Sequence, residues 1–254
     1  MFRPHFDPMT MRQTVDWWAV GGWTVLPMAY IVLLVGLAAL VFGPNIWVRR
    51  VLAKHSGPRA DFPGTGGQFA QHLVDHYELE GVTVEPTNEG DHYDPVSKTV
   101  RLSREALDGR SLTAIVTAAH EVGHAIQDHT GFAPLAARTK AIGSVMRVEK
   151  IGSYALFAAP IVGALSGSPA AAILTLVGAV AVMGSSIVVH LSTLPVEYDA
   201  SFNKALPILR EGGYLSERDM PAAEQILRAC AMTYVASSLA SLLNVARWIA
   251  ILRR

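Results

Sequence analysis

The chain has 254 residues, room for one or two domains, and its 21 basic and 21 acidic side chains cancel. That balance leaves no basic patch or stripe, so no nucleic-acid partner is expected. The single cysteine, Cys230, excludes an intrachain disulfide and a cysteine-based metal centre, while 51% hydrophobic and only 17% charged residues, against about 25% charged in soluble domains, point to a membrane.

Residues 1–22 suggest no function. From Trp23 to Phe42 the sequence WTVLPMAYIVLLVGLAALVF holds no charge, and a helix of that length is about 30 Å long, matching a bilayer core. Trp17, Trp18, Trp23 and Trp47 flank it as interfacial aromatics do, so residues 23–43 read as transmembrane helix 1. Residues 49–150 form the one sizeable polar part. Thr65 and Gln68 have the form of a capping box, followed by a helix with Phe69, Ala70, Leu73, Val74 and Tyr77 on one face and Gly81 as its stop. VTVE (82–85) and KTVRL (98–102) alternate like strands and read as an antiparallel hairpin across NEGDHYDPVS. Ser111 caps a helix of about Leu112 to Asp128, with Gly131 beyond its end.

Residues 151–194 read as a transmembrane hairpin, Ile151–Ser166 and Pro169–Leu194, joined by the turn SGSP. Residues 195–228 are polar again and 229–252 form a further span candidate. Lys and Arg cluster after the first span (Arg49, Arg50, Lys54, Arg59) and before the second (Arg138, Lys140, Arg147, Lys150). By the positive-inside rule this places 49–150 in the cytoplasm of a multi-pass plasma-membrane protein. The expected fold is therefore a membrane α-helical protein with 3–4 transmembrane helices and a small α+β cytoplasmic domain.

The chemistry lies in AAHEVGHAIQ (118–127). His120 and His124, four apart on a helix, share a face and can bind one metal ion through imidazole nitrogens. Glu121 between them is placed to act as base toward a metal-activated water. Zinc chemistry needs a third protein ligand. The extended motif ending in a further histidine fails, because 127 is Gln and 130 is Thr. Asp128 lies about 12 Å along the helix from His120, too far to share an ion. His129 points elsewhere, as a solvated helix end. Glu197, in LPVEYDAS directly after the apolar hairpin and near the start of a helix opened by Pro195, is the remaining acid returned to the same side as His120.

AAHEVGHAIQ, DHYDP with the following KTVRLS, and LPVEYDAS together resemble the YugP-type neutral zinc metallopeptidases, over nearly the whole chain from about residue 23. More distantly the pattern is similar to HtpX-like and CAAX-prenyl-protease-like membrane gluzincins. The resemblance implies a zincin-like domain, a Zn2+ cofactor and Glu197 as third ligand. Those distant relatives commonly carry Asp four residues after that glutamate; here the position is Ser201, with Asp199 nearby.

The expected function is hydrolysis of peptide bonds by a membrane-embedded zinc metallopeptidase at the cytoplasmic membrane face. His120, His124 and Glu197 are the ligands and Glu121 the base. His92 or Tyr93 is a candidate donor to the oxyanion, and the hairpin a candidate strand-addition site for substrate; Asp and Pro in DHYDP also suit a turn. Expected partners are a peptide or membrane-protein substrate, the lipid bilayer, and a membrane partner that regulates the site. His190, near the cytoplasmic end of its span, is an ionisable group of the kind that leans functional, although its depth allows snorkelling, and His72 and His76 share a helix face without a nearby acid of the right kind. Two other classes stay open: a catalytically silent zinc-binding membrane scaffold or adaptor, and zinc-dependent hydrolysis of a non-peptide bond.

Overall fold

The computed structural model describes residues 17–171, 173–178 and 193–242. The chain divides into two units, residues 1–40 and 41–254. Helix α1 (Trp17–Lys54) runs through the first, where side chains such as Ile31, Leu34 and Leu40 are exposed, and its last turns belong to the second, where Val48 and Val51 enter the core.

In the second unit, α2 (Gly66–His76) starts at Thr65. The threonine hydroxyl accepts from the Gln68 N–H, and the Gln68 side chain accepts from the Thr65 N–H, so the expected capping box is formed. Ala70, Leu73 and Val74 are buried, whereas Tyr77 lies exposed beyond the helix end. The chain then turns through Glu78 at φ 50° and Gly81 at φ 76° into β1 (Thr83–Thr87), β2 (His92–Asp94) and β3 (Thr99–Ser103).

The expected hairpin is corrected here. β1 and β3 pair in parallel, Val84 opposite Val100, and β2 pairs antiparallel with β3, Tyr93 opposite Val100, giving the order β1-β3-β2. Parallel neighbours need a connection that returns the chain to its starting end, and DHYDP does this as a strand. Of its two aspartates, Asp94 serves the turn that follows, accepting from the Val96 N–H and the Ser97 hydroxyl, whereas Asp91 accepts from the Ser103 N–H at the end of the neighbouring strand β3.

After α3 (Arg104–Leu107), Ser111 caps α4 (Leu112–His129) by accepting from the Ala114 N–H. α4 is the central helix, buried nearly all round from Leu112 to Gln127, its polar residues His120, Glu121, His124 and Gln127 included. Gly131 at φ 67° turns the chain sharply into α5 (Ala133–Ser166). Later come α6 (Leu194–Tyr198), a π-helical stretch (Asp199–Ala205), α7 (Leu206–Glu211) and α8 (Met220–Leu242). Leu73, Leu102, Val116, Val122, Leu209, Ile226 and Leu227 form the core around α4.

The multi-pass membrane fold is also corrected. Among the described residues no single helix is long and apolar enough to cross a membrane, and one bent pair, Tyr30–Leu40 with Phe42–Lys54, passes that test only together. The apolar run Ile151–Ser166 is no separate span: it ends a helix that begins at Ala133 and includes the charged positions from Arg138 to Lys150, and its 16 residues fall short of the roughly 20 a crossing needs. Pro169–Gly178 is a short apolar helix, and residues 179–192, with His190, lie outside the described residues. The candidate at 229–252 begins inside α8, a helix that starts at Met220 and carries Glu224 and Arg228; 243–254 lie outside the described residues. Three to four transmembrane helices, the bilayer as partner, a regulatory membrane partner and the sidedness drawn from spans therefore lose their support. What stands is a mostly helical domain with a three-stranded mixed sheet.

Candidate active site

α4 presents His120 and His124 one turn apart, their ring centroids 4.8 Å apart at 76°. The π-helical stretch packs across this face of α4, and Gly123 is why it can: a Cβ there would lie 2.8 Å from the Ala200 carbonyl oxygen. The backbone of another element thus fills the space that the missing side chain leaves. The close approach carries Glu197, three residues before Ala200, onto the histidines. Glu197 Oε2 lies 3.3 Å from Nε2 of both His120 and His124. All three side chains are buried, Glu197 with no exposure at all, and they form a group that could hold a metal ion, its ligand atoms within 4.8 Å of one another.

The outer partners of these side chains fix which atoms face inward. Gln127 Nε2 donates to the Val196 carbonyl (2.8 Å) and to Asp199 Oδ2 (2.8 Å), so its amide oxygen is the atom turned to His124 Nδ1, 2.9 Å away. An amide oxygen only accepts, and Nδ1 of His124 therefore donates. The Ser201 hydroxyl gives its one proton to the Leu227 carbonyl (3.2 Å) and accepts from His120 Nδ1 (3.0 Å). In the neutral rings both Nε2 atoms then turn lone pairs toward Glu197 Oε2. Arg138 Nη1 donates to the other carboxylate oxygen, Oε1, at 3.0 Å, and Oε2 is buried with no hydrogen-bond partner.

Three electron pairs converging in a dry interior need a cation. A tetrahedral zinc ion with bonds of roughly 2.0–2.1 Å separates its ligand atoms by about 3.3–3.4 Å, and the two Nε2–Oε2 distances are 3.3 Å. The cluster is thus geometrically consistent with zinc. In the metal-free protein a proton relieves the same convergence. Burial alone would lower the basicity of His124, but the Glu197 carboxylate outweighs it and raises it. Burial alone would raise the Glu197 carboxyl, but His124 and His120 hold it well below the usual carboxylate range.

Glu121 is buried beside the ligands. Burial pushes its carboxyl up, and His120 and His124 partly offset this. His92 and Tyr93 lie with His124, Leu135 and Arg138 around a cleft of about 300 Å³. The Tyr93 hydroxyl donates to Asp128 at 2.9 Å, tying β2 to the end of α4, and His92 Nδ1 lies 2.8 Å from the Gly90 carbonyl, to which it donates. His129 is exposed at the helix end. His72 and His76 stack on the surface of α2, their centroids 6.0 Å apart, with His72 bonded to the Tyr214 hydroxyl.

A family model described as "Putative neutral zinc metallopeptidase" matches residues 30–253. The chain belongs to this family. Among curated proteins, the "Putative membrane protease YugP" of Bacillus subtilis (strain 168) is 34% identical over 230 residues, which cover 88% of this chain and 96% of the relative. No solved structure matches. With His-x-x-x-His and a downstream Glu in one tight cluster, the site is that of a gluzincin-type zinc metallopeptidase.

Three residues of the site have no functional part in the sequence reading. Gln127 enters it only as the break in the extended histidine motif, yet it stands three after His124 and so shares its face. Ser201 enters as a departure from Asp, yet it stands four after Glu197 and occupies the place of a partner to His120. Arg138 counts there only as a flanking charge. Nothing local marks it, because it reaches Glu197 through the turn at Gly131.

Proposed function

We propose that this family member hydrolyses peptide bonds, with Glu121 as base and His120, His124 and Glu197 as the zinc ligands. The observation that carries the reading is the buried, unpartnered Glu197 Oε2 equidistant from two Nε2 atoms. Zinc held there supplies Lewis acidity toward water and toward the scissile carbonyl. Glu121 takes the proton of the attacking water and hands it to the leaving amine. Its buried position, which raises its proton affinity, suits a group that must accept a proton and release it again. Arg138 keeps Glu197 Oε1 engaged, so Oε2 is the carboxylate atom that would hold the ion.

The substrate lies in the cleft beside His124 as an added strand on β2, whose outer edge has no strand partner among the described residues; main-chain hydrogen bonds hold it there. His92 stands in that cleft, and because its Nδ1–H is committed to the Gly90 carbonyl it would reach the oxyanion through Nε2. Tyr93 shapes the cleft wall, its proton given to Asp128.

The test compares zinc content and cleavage of an unstructured protein such as casein in the wild type, Glu197→Ala and Glu121→Gln. The expected pattern is about one zinc per chain in the wild type, most of it lost on Glu197→Ala, and full zinc without cleavage in Glu121→Gln. A Glu121→Gln protein that cleaves normally refutes the mechanism, and a Glu197→Ala protein with full zinc refutes the ligand set.

A further inference from the structure

Gln127 does more than fill space in the core. Its side chain is fully buried, and every polar atom of it is used: one acceptor on His124 Nδ1 and two donors on the Val196 carbonyl and Asp199 Oδ2. The Val196 carbonyl belongs to the residue before Glu197. A single amide therefore orients one metal ligand and grips the element that supplies another, 69 residues further along the chain.

The two histidines are backed unequally. His120 meets the neutral hydroxyl of Ser201, which passes on to a carbonyl. His124 meets an amide backed by a carboxylate, which Asn203 holds from its other oxygen at 2.8 Å. Metal-ligating histidines commonly donate to a carboxylate or a carbonyl directly; here the carboxylate acts one group removed. Its charge draws the Gln127 N–H bonds, makes the amide oxygen a stronger acceptor, and so makes Nε2 of His124 a stronger donor to a metal.

We infer that Gln127 and Asp199 form a relay that sets the tautomer of His124 and locks it to the Glu197 arm, as positioning residues of the zinc site. This rests on the zinc reading of His120, His124 and Glu197.

The experiment measures zinc affinity by competition with a chromophoric chelator, and the ¹⁵N chemical shifts of the His124 ring in the metal-free protein at a pH high enough for the ring to be neutral, so that its tautomer is defined, for wild type, Gln127→Leu and Asp199→Asn. The relay predicts zinc binding about 10–100-fold weaker in Gln127→Leu, with the His124 shifts moving from the Nδ1–H pattern to a mixture of tautomers. Asp199→Asn, which keeps the shape and removes the charge, should weaken zinc binding by a smaller factor and leave the tautomer in place. If Gln127→Leu does not fold, Asp199→Asn alone decides: affinity within twofold of wild type overturns the relay. In a folded Gln127→Leu protein, unchanged ring shifts and unchanged affinity also overturn it. A wild type that takes up no zinc refutes the metallopeptidase reading instead, and the metal-free ring shifts still decide whether Gln127 sets the tautomer.

Discussion

Replacing Gly123 with alanine should weaken zinc binding although position 123 touches no metal. The added Cβ would stand 2.8 Å from the Ala200 carbonyl oxygen and 3.4 Å from its carbon and from Lys204 Cβ, where ordinary contact begins at 3.4 Å. The difference, 3.4 − 2.8, asks the π-helical backbone to retreat by about 0.6 Å, and the obstacle is main chain, not the end of a flexible side chain. Glu197 rides on the same backbone three residues earlier. Metal–ligand bonds tolerate about 0.2 Å, so the retreat exceeds the tolerance roughly threefold. Overpacking costs about 1–3 kcal/mol, and the better helix propensity of alanine returns about 1 kcal/mol of it. The metal-free protein should therefore melt within a few degrees of wild type while its zinc affinity falls at least about tenfold, or about 1.4 kcal/mol. Chelator competition beside a thermal melt of the apo-protein reads both. Unchanged affinity in a folded Gly123→Ala protein would refute the idea that close approach of the π-helical stretch sets the site.

Arg138→Ala, which strips the partner from Glu197 Oε1 in a setting only 10% exposed on the arginine side, should weaken zinc by about 10–100-fold, and Arg138→Lys should restore only part of it because a point charge replaces a planar fork. Retained affinity in Arg138→Ala, read by the same competition titration, would remove Arg138 from the site. The Asp219 carboxyl is held below its ordinary value by Arg59, whose guanidinium also engages Asp61 and sets that carboxyl at about 2. Because the folded values are depressed, the stabilisation is present above the unfolded value near 4 and is lost as pH falls through the folded ones. Melting temperatures between about pH 2 and 5 should fall less steeply for Asp219→Asn than for wild type, and parallel curves would contradict this. Cys230 is buried and burial pushes its thiol up, so iodoacetamide at pH 8 should label it only after unfolding; rapid labelling of the native protein would place it nearer the surface.

The sequence exposed what local spacing encodes. The caps at Thr65 and Ser111, the stop at Gly131 and the helix Leu112–His129 stand where periodicity and turn chemistry put them. The Glu197 partner of the histidines was legible because few other acids were free of an ordinary explanation. Pairing direction was not legible: strands β1 and β3 look alike in a hairpin or a parallel pair, and the three residues that decide it, His92–Asp94, read as a turn. Hydropathy misled for a physical reason. An apolar run such as Ile151–Ser166 carries the same signal whether it stands alone or finishes a helix begun eighteen residues earlier at Ala133 and charged from Arg138 to Lys150. Arg138 and Gln127 escaped because their partners lie 59 and 69 residues away, a distance over which no periodicity speaks.

The site closes across the chain and not along it. His124 and Glu197 are separated by 73 residues (197 − 124), and Ser201 reaches on to the carbonyl of Leu227. During synthesis at about 5–20 residues per second, the ribosome needs about 4–15 s after His124 to add Glu197, and longer before Leu227 can receive Ser201. Over that interval the nascent chain carries only two residues of the three-residue cluster. The site of a protease built this way is incomplete until the chain has folded back upon its own middle.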